Sequence, residues 1–146
     1  TSNLFIGSGL YDLKQALEAG NCVSIGTDIG GGTSYSMLRT LGEAYKVQQL
    51  QGISLSPAYA LYLATLGGAK ALSIDDKLGS ITVGKEADFA LLDPAATPLL
   101  ARRTSLRDDP LDTFFALMTL GDDRAIAATY VNGVCVHRRQ GNDVSL

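Results

Sequence analysis

Asp28 is the residue whose type and position point most directly to chemistry. It follows a short apolar run, residues 22–26, that predicts a buried β-strand. A carboxylate at the end of a parallel strand lies at the face of the sheet where α/β barrels carry their active sites. There it could bind a metal ion, hold a metal-bound water or accept a proton. Aspartate at a loop start also caps its own backbone, and on residue type alone this turn explanation is the more frequent one.

The other polar candidates have simpler explanations. His137 is the only histidine, so this chain cannot build a three-histidine zinc site, and a surface position is expected. Glycines 30–32 precede a predicted helix and could cradle a phosphate, but they lack the lysine of a P-loop. Three adjacent acidic pairs fall in predicted loops and are expected to be solvated: Asp75-Asp76, Asp108-Asp109 and Asp122-Asp123.

Composition indicates a globular chain that is too short for a whole enzyme of the barrel type. Its 146 residues are 46% hydrophobic and 18% charged, whereas a complete (β/α)₈ barrel needs about 250 residues. The net charge is −3 and the basic pairs Arg102-Arg103 and Arg138-Arg139 are short, so we expect solvated surface and no nucleic-acid partner. No stretch is apolar for the length of a membrane span. Cys22 and Cys135 are far apart and are expected to be buried, reduced thiols.

Periodicity predicts a change of architecture near residue 77. The first part alternates helix, strand and two helices, which is typical of a parallel α/β structure. Its predicted helices cover 10–19, 34–51, a segment opening at Ser56-Pro57, and 69–72. The second part has a strand at 89–92, a helix at 111–120, and a hairpin of 125–131 and 134–137 around Asn132-Gly133. Four tyrosines at helical positions are expected in the core or the barrel shell: Tyr35, Tyr45, Tyr59 and Tyr62.

The order of these short patterns resembles the carboxyl-terminal part of the amidohydrolase superfamily. The patterns are Gly26-Thr27-Asp28, Ser56-Pro57, Gly67 to Leu72, Gly79-Ser80-Ile81, Gly84 to Phe89, and Val131-Asn132-Gly133. The resemblance covers essentially the whole chain. Within the superfamily, three stretches are more narrowly similar to the guanine deaminase family: residues 1–10, 27–38 and 115–124.

The resemblance implies the last part of a (β/α)₈ TIM barrel followed by a segment of a small β-sandwich. Residues 1–77 would run from the end of barrel strand 7 through strand 8, at 22–26, and the following helices. Residues 78–146 would supply a β-sandwich segment with one helix. Asp28 matches the aspartate that ends strand 8, completes the zinc site and accepts a proton from the attacking water. The family's zinc-binding histidines and its proton-shuttling glutamate are not in this chain, so the chain alone is expected to be inactive.

The implied activity is the zinc-dependent hydrolysis of guanine to xanthine and ammonia. Another aminopurine, pterin or triazine deaminase of the same superfamily remains an alternative, as does a binding module without catalysis. The resemblance implies that the rest of the barrel is a partner, and that the complete enzyme is a cytoplasmic homodimer. The residues that bind the substrate are not identified from these patterns.

Overall fold

Seven α-helices, one 3-10 helix and three β-strands form the described parts of the computed structural model, residues 2–106 and 108–140. The helices are α1 Ser2–Ile6, α2 Leu13–Glu18, α3 Met37–Leu50, α4 Pro57–Ala64, α5 Leu66–Ala71, α6 Pro98–Thr104 and α7 Pro110–Leu120. The strands are β1 Phe89–Leu92, β2 Ile126–Val131 and β3 Val134–Arg138, and the 3-10 helix is Asp123–Ala125. No helix of this described part is long and apolar enough to cross a membrane.

Side-chain caps decide where the helices near the predicted site begin. The Asp12 carboxylate accepts a hydrogen bond from the Gln15 amide at 2.8 Å, so α2 starts at Leu13 rather than at residue 10. Ser36 caps α3 in the same way, and α3 therefore starts three residues after the predicted position. Ser56 accepts a hydrogen bond from the Tyr59 amide at 3.2 Å, which confirms the predicted start of α4.

The three strands form one antiparallel sheet in the order β1-β2-β3. β2 and β3 make the predicted hairpin, in which Val131 pairs with Val134 across Asn132 and Gly133. Both turn residues have positive φ, 47° and 76°, which is the conformation that an Asn-Gly pair favours in tight hairpins. β3 is an edge strand and all five of its residues are exposed.

Two buried clusters hold the helices together. The first contains Leu13, Leu41, Leu55, Ala60, Leu63 and Met118, and the second contains Leu38, Leu100, Ala116, Leu117 and Ala125. Helix α7 contributes to both clusters, because Met118 lies in the first while Ala116 and Leu117 lie in the second. The two parts of the chain predicted on either side of residue 77 therefore share core contacts. The division into a barrel part and a sandwich part stays a prediction.

The strand predicted at residues 22–26 is absent, and this is a correction. Val23 and Ile25 are half-buried against the first cluster, whereas Cys22, Ser24 and Gly26 are exposed, so the alternation expected of a strand is present. Its one backbone hydrogen bond outside the segment runs from the Ile25 amide to the Leu63 carbonyl at 3.2 Å. A β-strand is defined by pairing, and none of the described residues forms a ladder with this segment.

Several surface predictions also need correction. Cys22 and Cys135 are both exposed, because one lies on the unpaired segment and the other on the edge strand β3. Tyr35 precedes α3 and is 83% exposed, so it is not a core residue. Tyr45, Tyr59 and Tyr62 are half-buried against the first cluster, as predicted.

One arginine of each basic pair forms an ion pair, whereas Arg102 and Arg138 are exposed as predicted. The Arg103 guanidinium makes two hydrogen bonds to the Asp112 carboxylate, at 2.7 and 2.8 Å, and so joins α6 to α7. The Arg139 guanidinium binds the Asp93 carboxylate. The Arg103–Asp112 and Arg139–Asp93 ion pairs are largely shielded from solvent. The sequence could not show them, because each joins residues that are distant along the chain.

Candidate active-site loop

Asp28 opens a tight loop between the extended segment 22–26 and helix α3. It is exposed and has a φ of 47°, in the left-handed region that few residues other than glycine adopt. The Gly32 amide donates a hydrogen bond to the Asp28 carbonyl at 2.5 Å, which closes the loop. The backbone therefore turns sharply at the carboxylate, as the run of glycines predicts.

Both ends of the loop are fixed to the rest of the chain. Before it, Val23 and Ile25 pack against the first cluster. After it, the Ser34 hydroxyl accepts a hydrogen bond from the Ser36 amide at 3.0 Å, and Ser36 in turn caps α3. Asp28 is thus held between a packed extended segment and a capped helix, which is how a strand-to-helix loop of an α/β protein presents a side chain.

The Asp28 carboxylate does not act as a turn cap. Across the described residues it forms no hydrogen bond and no ion pair. Other aspartates of this chain do cap nearby backbone amides, at 2.8 to 3.0 Å: Asp12, Asp93, Asp109 and Asp122. The ordinary explanation for an aspartate at a loop start is therefore met at four other positions and not at Asp28.

A polar cleft of about 290 Å³ lies beside the loop. Its walls come from α1, the loop and the first two turns of α3, and they are Leu4, Phe5, Thr27, Thr33, Ser34, Arg39, Thr40 and Glu43. The cleft places Arg39 and Glu43 near the residue that precedes Asp28 in the chain. Sequence reasoning missed both side chains, because their relation to the loop depends on how α3 is oriented.

A second cavity, of about 400 Å³, lies along the extended segment 22–26. Gln48 of α3 lines it and is only 4% exposed. Its Nε2 donates to the Tyr11 carbonyl at 2.9 Å, whereas its Oε1 has no hydrogen-bond partner in the described part of the chain. Leaving a buried acceptor without a donor costs free energy of folding, so we expect a hydrogen-bond donor from outside the described residues to enter this cavity.

The described residues do not assemble a metal site by themselves. No group of three or more histidine, cysteine, aspartate or glutamate side chains comes together within residues 2–106 and 108–140. His137 is exposed on β3, opposite Thr129, as the sequence predicts for a surface histidine. Asp28 is accordingly the one predicted metal ligand of this chain, and the loop leaves its two carboxylate oxygens free.

Two of the loop acidic pairs contain a residue that also caps a helix, and Asp109 is exposed as predicted. Asp109 caps α7, and Asp122 caps the 3-10 helix and binds the Arg124 side chain. The hydrogen bonds from Arg124 hold the pKa of Asp122 below its usual value. These carboxylates are held by structural contacts, which distinguishes them from Asp28.

The sequence profile of the Amidohydrolase family matches residues 1–136 of this chain. The chain belongs to the amidohydrolase family. Enzymes of this family are typically metal-dependent.

The relatives of known structure resemble the chain over nearly all of its length. Guanine deaminase of Escherichia coli is 55% identical over 139 residues, which are 95% of this chain and 32% of the relative. Its structure superposes with a TM-score of 0.92, over 95% of this chain and 33% of the relative. Guanine deaminase of C. acetobutylicum, with bound guanine in the active site, is 28% identical with a TM-score of 0.75, over 94% of this chain and 32% of that one.

A relative named for a different substrate, adenosine, shares the fold of this segment. An adenosine deaminase from Xanthomonas campestris with bound zinc is 27% identical and has a TM-score of 0.74, over 92% of this chain and 30% of the relative. The chain thus spans about a third of the length of the relatives that it matches. It is a partial homologue of guanine deaminase.

Proposed function

We propose that the chain is the carboxyl-terminal third of a guanine deaminase, which hydrolyses guanine to xanthine and ammonia. One observation carries the proposal: the chain is 55% identical to the Escherichia coli enzyme over 95% of its length, with a TM-score of 0.92. The more distant guanine deaminase of C. acetobutylicum and the adenosine deaminase match about equally, at 28% and 27% identity, so the proposal rests on the more similar Escherichia coli enzyme.

The first half supplies the end of a (β/α)₈ barrel under this proposal. The segment 22–26 has the alternating burial of a strand, and no other strand is paired with it in the described residues. The cavity beside it offers a buried acceptor, Gln48 Oε1, to an incoming donor. Both features are accounted for if the preceding barrel strands pack here. The sheet β1-β2-β3 belongs to the β-sandwich, whose further strands would cover the exposed edge of β3.

In this proposal Asp28 has two roles: its carboxylate completes the zinc site, and it accepts a proton from the attacking water. A bound zinc ion supplies Lewis-acid chemistry that makes water a nucleophile at neutral pH. The free oxygens of Asp28 fit that group, because they are unpaired and stand at the end of the segment 22–26. Asp28 accepts a hydrogen bond from the attacking water and takes its proton as the new C–O bond forms. The C–N bond then breaks, the proton leaves with the amino group as ammonia, and xanthine remains.

The zinc-binding histidines and the residues that recognise the purine would come from earlier barrel strands. A different deaminase of the family remains the second candidate, because the adenosine deaminase of Xanthomonas campestris shares the fold of this segment. The cytoplasmic location and the homodimer also stay predictions.

A segment exchange tests the proposal. The 146 residues replace the matching third of Escherichia coli guanine deaminase, and xanthine formation is followed by absorbance; we call this protein the reconstituted enzyme. We expect a turnover number within about tenfold of the parent enzyme, since tenfold corresponds to about 1.4 kcal/mol of barrier. A control exchange carries the matching third of the Xanthomonas campestris adenosine deaminase.

The control should be at least about a hundredfold slower on guanine, because its side chains at the shared surface differ more. Equal activity of the two exchanged proteins on guanine would show that this segment does not contribute to the preference for guanine. A folded reconstituted enzyme without turnover would refute the proposal altogether. The isolated 146-residue chain should release no ammonia from guanine.

A further inference from the structure

We infer that Gly32 is a positioning residue for Asp28, so that the absence of a side chain at residue 32 sets the placement of the carboxylate four residues earlier. The inference rests on the proposed role of Asp28 and extends it to a residue that has no functional group of its own.

The backbone of Gly32 lies directly against the peptide that precedes Asp28. A Cβ atom built on Gly32 would lie 2.1 Å from the Thr27 carbonyl oxygen and 3.0 Å from the Asp28 carbonyl oxygen. Real Cβ atoms essentially never approach another heavy atom below 3.0 Å. Both obstructing atoms belong to the main chain, so no side-chain rotation can relieve the contact. Any residue larger than glycine must therefore shift the main chain here, at residue 32 or at Thr27–Asp28, and so change how the two fit together.

The contact and the hydrogen bond act on the same short stretch of chain. The Gly32 amide donates to the Asp28 carbonyl at 2.5 Å, and this bond needs the close approach that glycine permits. Asp28 itself has a φ of 47°, a left-handed conformation that carries a cost for any residue with a Cβ, although aspartate tolerates it better than most. Gly32 is thus the residue through which the loop contacts the Thr27–Asp28 backbone, which carries the carboxylate.

Two nearby glycines, Gly26 and Gly30, make no such close approach. Gly30 has a φ of 112° but nothing within 4 Å of its built Cβ, so it serves the turn and not the contact. Gly26, before Asp28, also has nothing within 4 Å among the described residues. Gly42 makes an equally close contact elsewhere, since its built Cβ would lie 2.3 Å from the Met118 carbonyl oxygen between α3 and α7.

A shift of the Thr27–Asp28 backbone would misplace the proton acceptor. Catalytic groups lose about a hundredfold in rate for roughly 1 Å of misplacement. The loss falls on the turnover number, because Asp28 acts on the water in the transition state and does not contact the remote edge of the purine. The Michaelis constant for guanine should change much less.

The test compares Gly32→Ala with Gly42→Ala in the reconstituted enzyme, with kcat, KM and the melting temperature measured for each. Both variants should have a lower melting temperature, because both place a methyl group against a main-chain carbonyl oxygen. Only Gly32→Ala should lower kcat, by about a hundredfold, with KM within about threefold of the unsubstituted protein. An equal change of kcat in the two variants would assign Gly32 a structural role only and overturn the inference.

A third variant keeps the inference testable if Gly32→Ala does not fold. Gly30→Ala strains the same loop without the close contact, and it should lower kcat by about tenfold at unchanged KM. Full kcat in a folded Gly30→Ala protein would contradict the view that loop geometry places Asp28. The unsubstituted reconstituted enzyme distinguishes a failure of the proposed function from a failure of this inference. If it is inactive, the proposed function is refuted. If it is active but its kcat does not change with substitutions at Gly30 and Gly32, only this inference is refuted.

Discussion

The segment around Asp28 and the region from β1 to β3 differ in how completely their polar groups are satisfied. Between residues 88 and 139, charged side chains pair with distant partners: Asp88 with the Asn132 amide, Arg103 with Asp112, and Arg139 with Asp93. Around residues 22–48, the segment 22–26 has no strand partner, Gln48 Oε1 lacks a donor and the Asp28 carboxylate forms no hydrogen bond among the described residues. We call residues 88–139 the closed region, because these charged groups are paired within the chain, and residues 22–48 the open region, because its polar groups await partners.

The largest stability effect that tests this contrast is in the closed region. Leu100 of α6 is 1% exposed in the second cluster, and Leu100→Ala should lower the free energy of unfolding by about 3 kcal/mol through lost burial and a cavity. Leu99, its neighbour, is 60% exposed, and Leu99→Ala should change stability by less than about 0.5 kcal/mol. Urea denaturation of both variants measures the difference. Similar values for the two would mean that this region is not packed as described.

The open region should become protected when the rest of the barrel is present. Cys22 is exposed next to the unpaired segment, so a thiol reagent should label it readily in the 146-residue chain. In the reconstituted enzyme, flanking strands should slow its labelling by about tenfold or more, because reaction then requires local opening. Mass spectrometry of the labelled peptides gives both rates. Unchanged labelling of Cys22 would argue against the barrel placement of residues 22–26.

The smallest predicted effect concerns an exposed ion pair of the closed region. Arg124 holds the pKa of Asp122 below its usual value, so the pair stabilises the fold above the unfolded-state pKa and loses this contribution as the pH falls through the folded-state pKa. Asp122→Asn keeps the backbone cap but removes the charge. It should lower the melting temperature by about 1 °C at pH 7. A difference that persists at low pH would assign the effect to the cap.

Local chemistry made much of the fold predictable from the sequence. Ser56-Pro57 and Asn132-Gly133 act through their own backbone geometry, so the start of α4 and the hairpin are where the patterns place them. Helix α6 was not predicted, although Thr97-Pro98 carries the same capping signal as Ser56-Pro57. The strand at 22–26 failed for a different reason, since pairing depends on neighbours that no local pattern contains.

The candidate site was predictable only in part. The residue types around Asp28 left its role as a turn cap open, and the family resemblance favoured a metal-site aspartate. The left-handed φ of Asp28 and the contact of Gly32 with the Thr27 carbonyl depend on how the loop folds back on itself. A run of glycines shows that such a turn is allowed, but it does not show which glycine makes the close contact.

Turnover of guanine by the reconstituted enzyme carrying Asp28→Asn tests the account most directly. Asparagine tolerates the left-handed conformation and nearly matches aspartate in shape, so the loop should be preserved while the proton acceptor is lost. We expect kcat to fall by about a thousandfold, with a melting temperature close to that of the unsubstituted protein. Retention of near-normal kcat by the folded variant would contradict the catalytic role of Asp28.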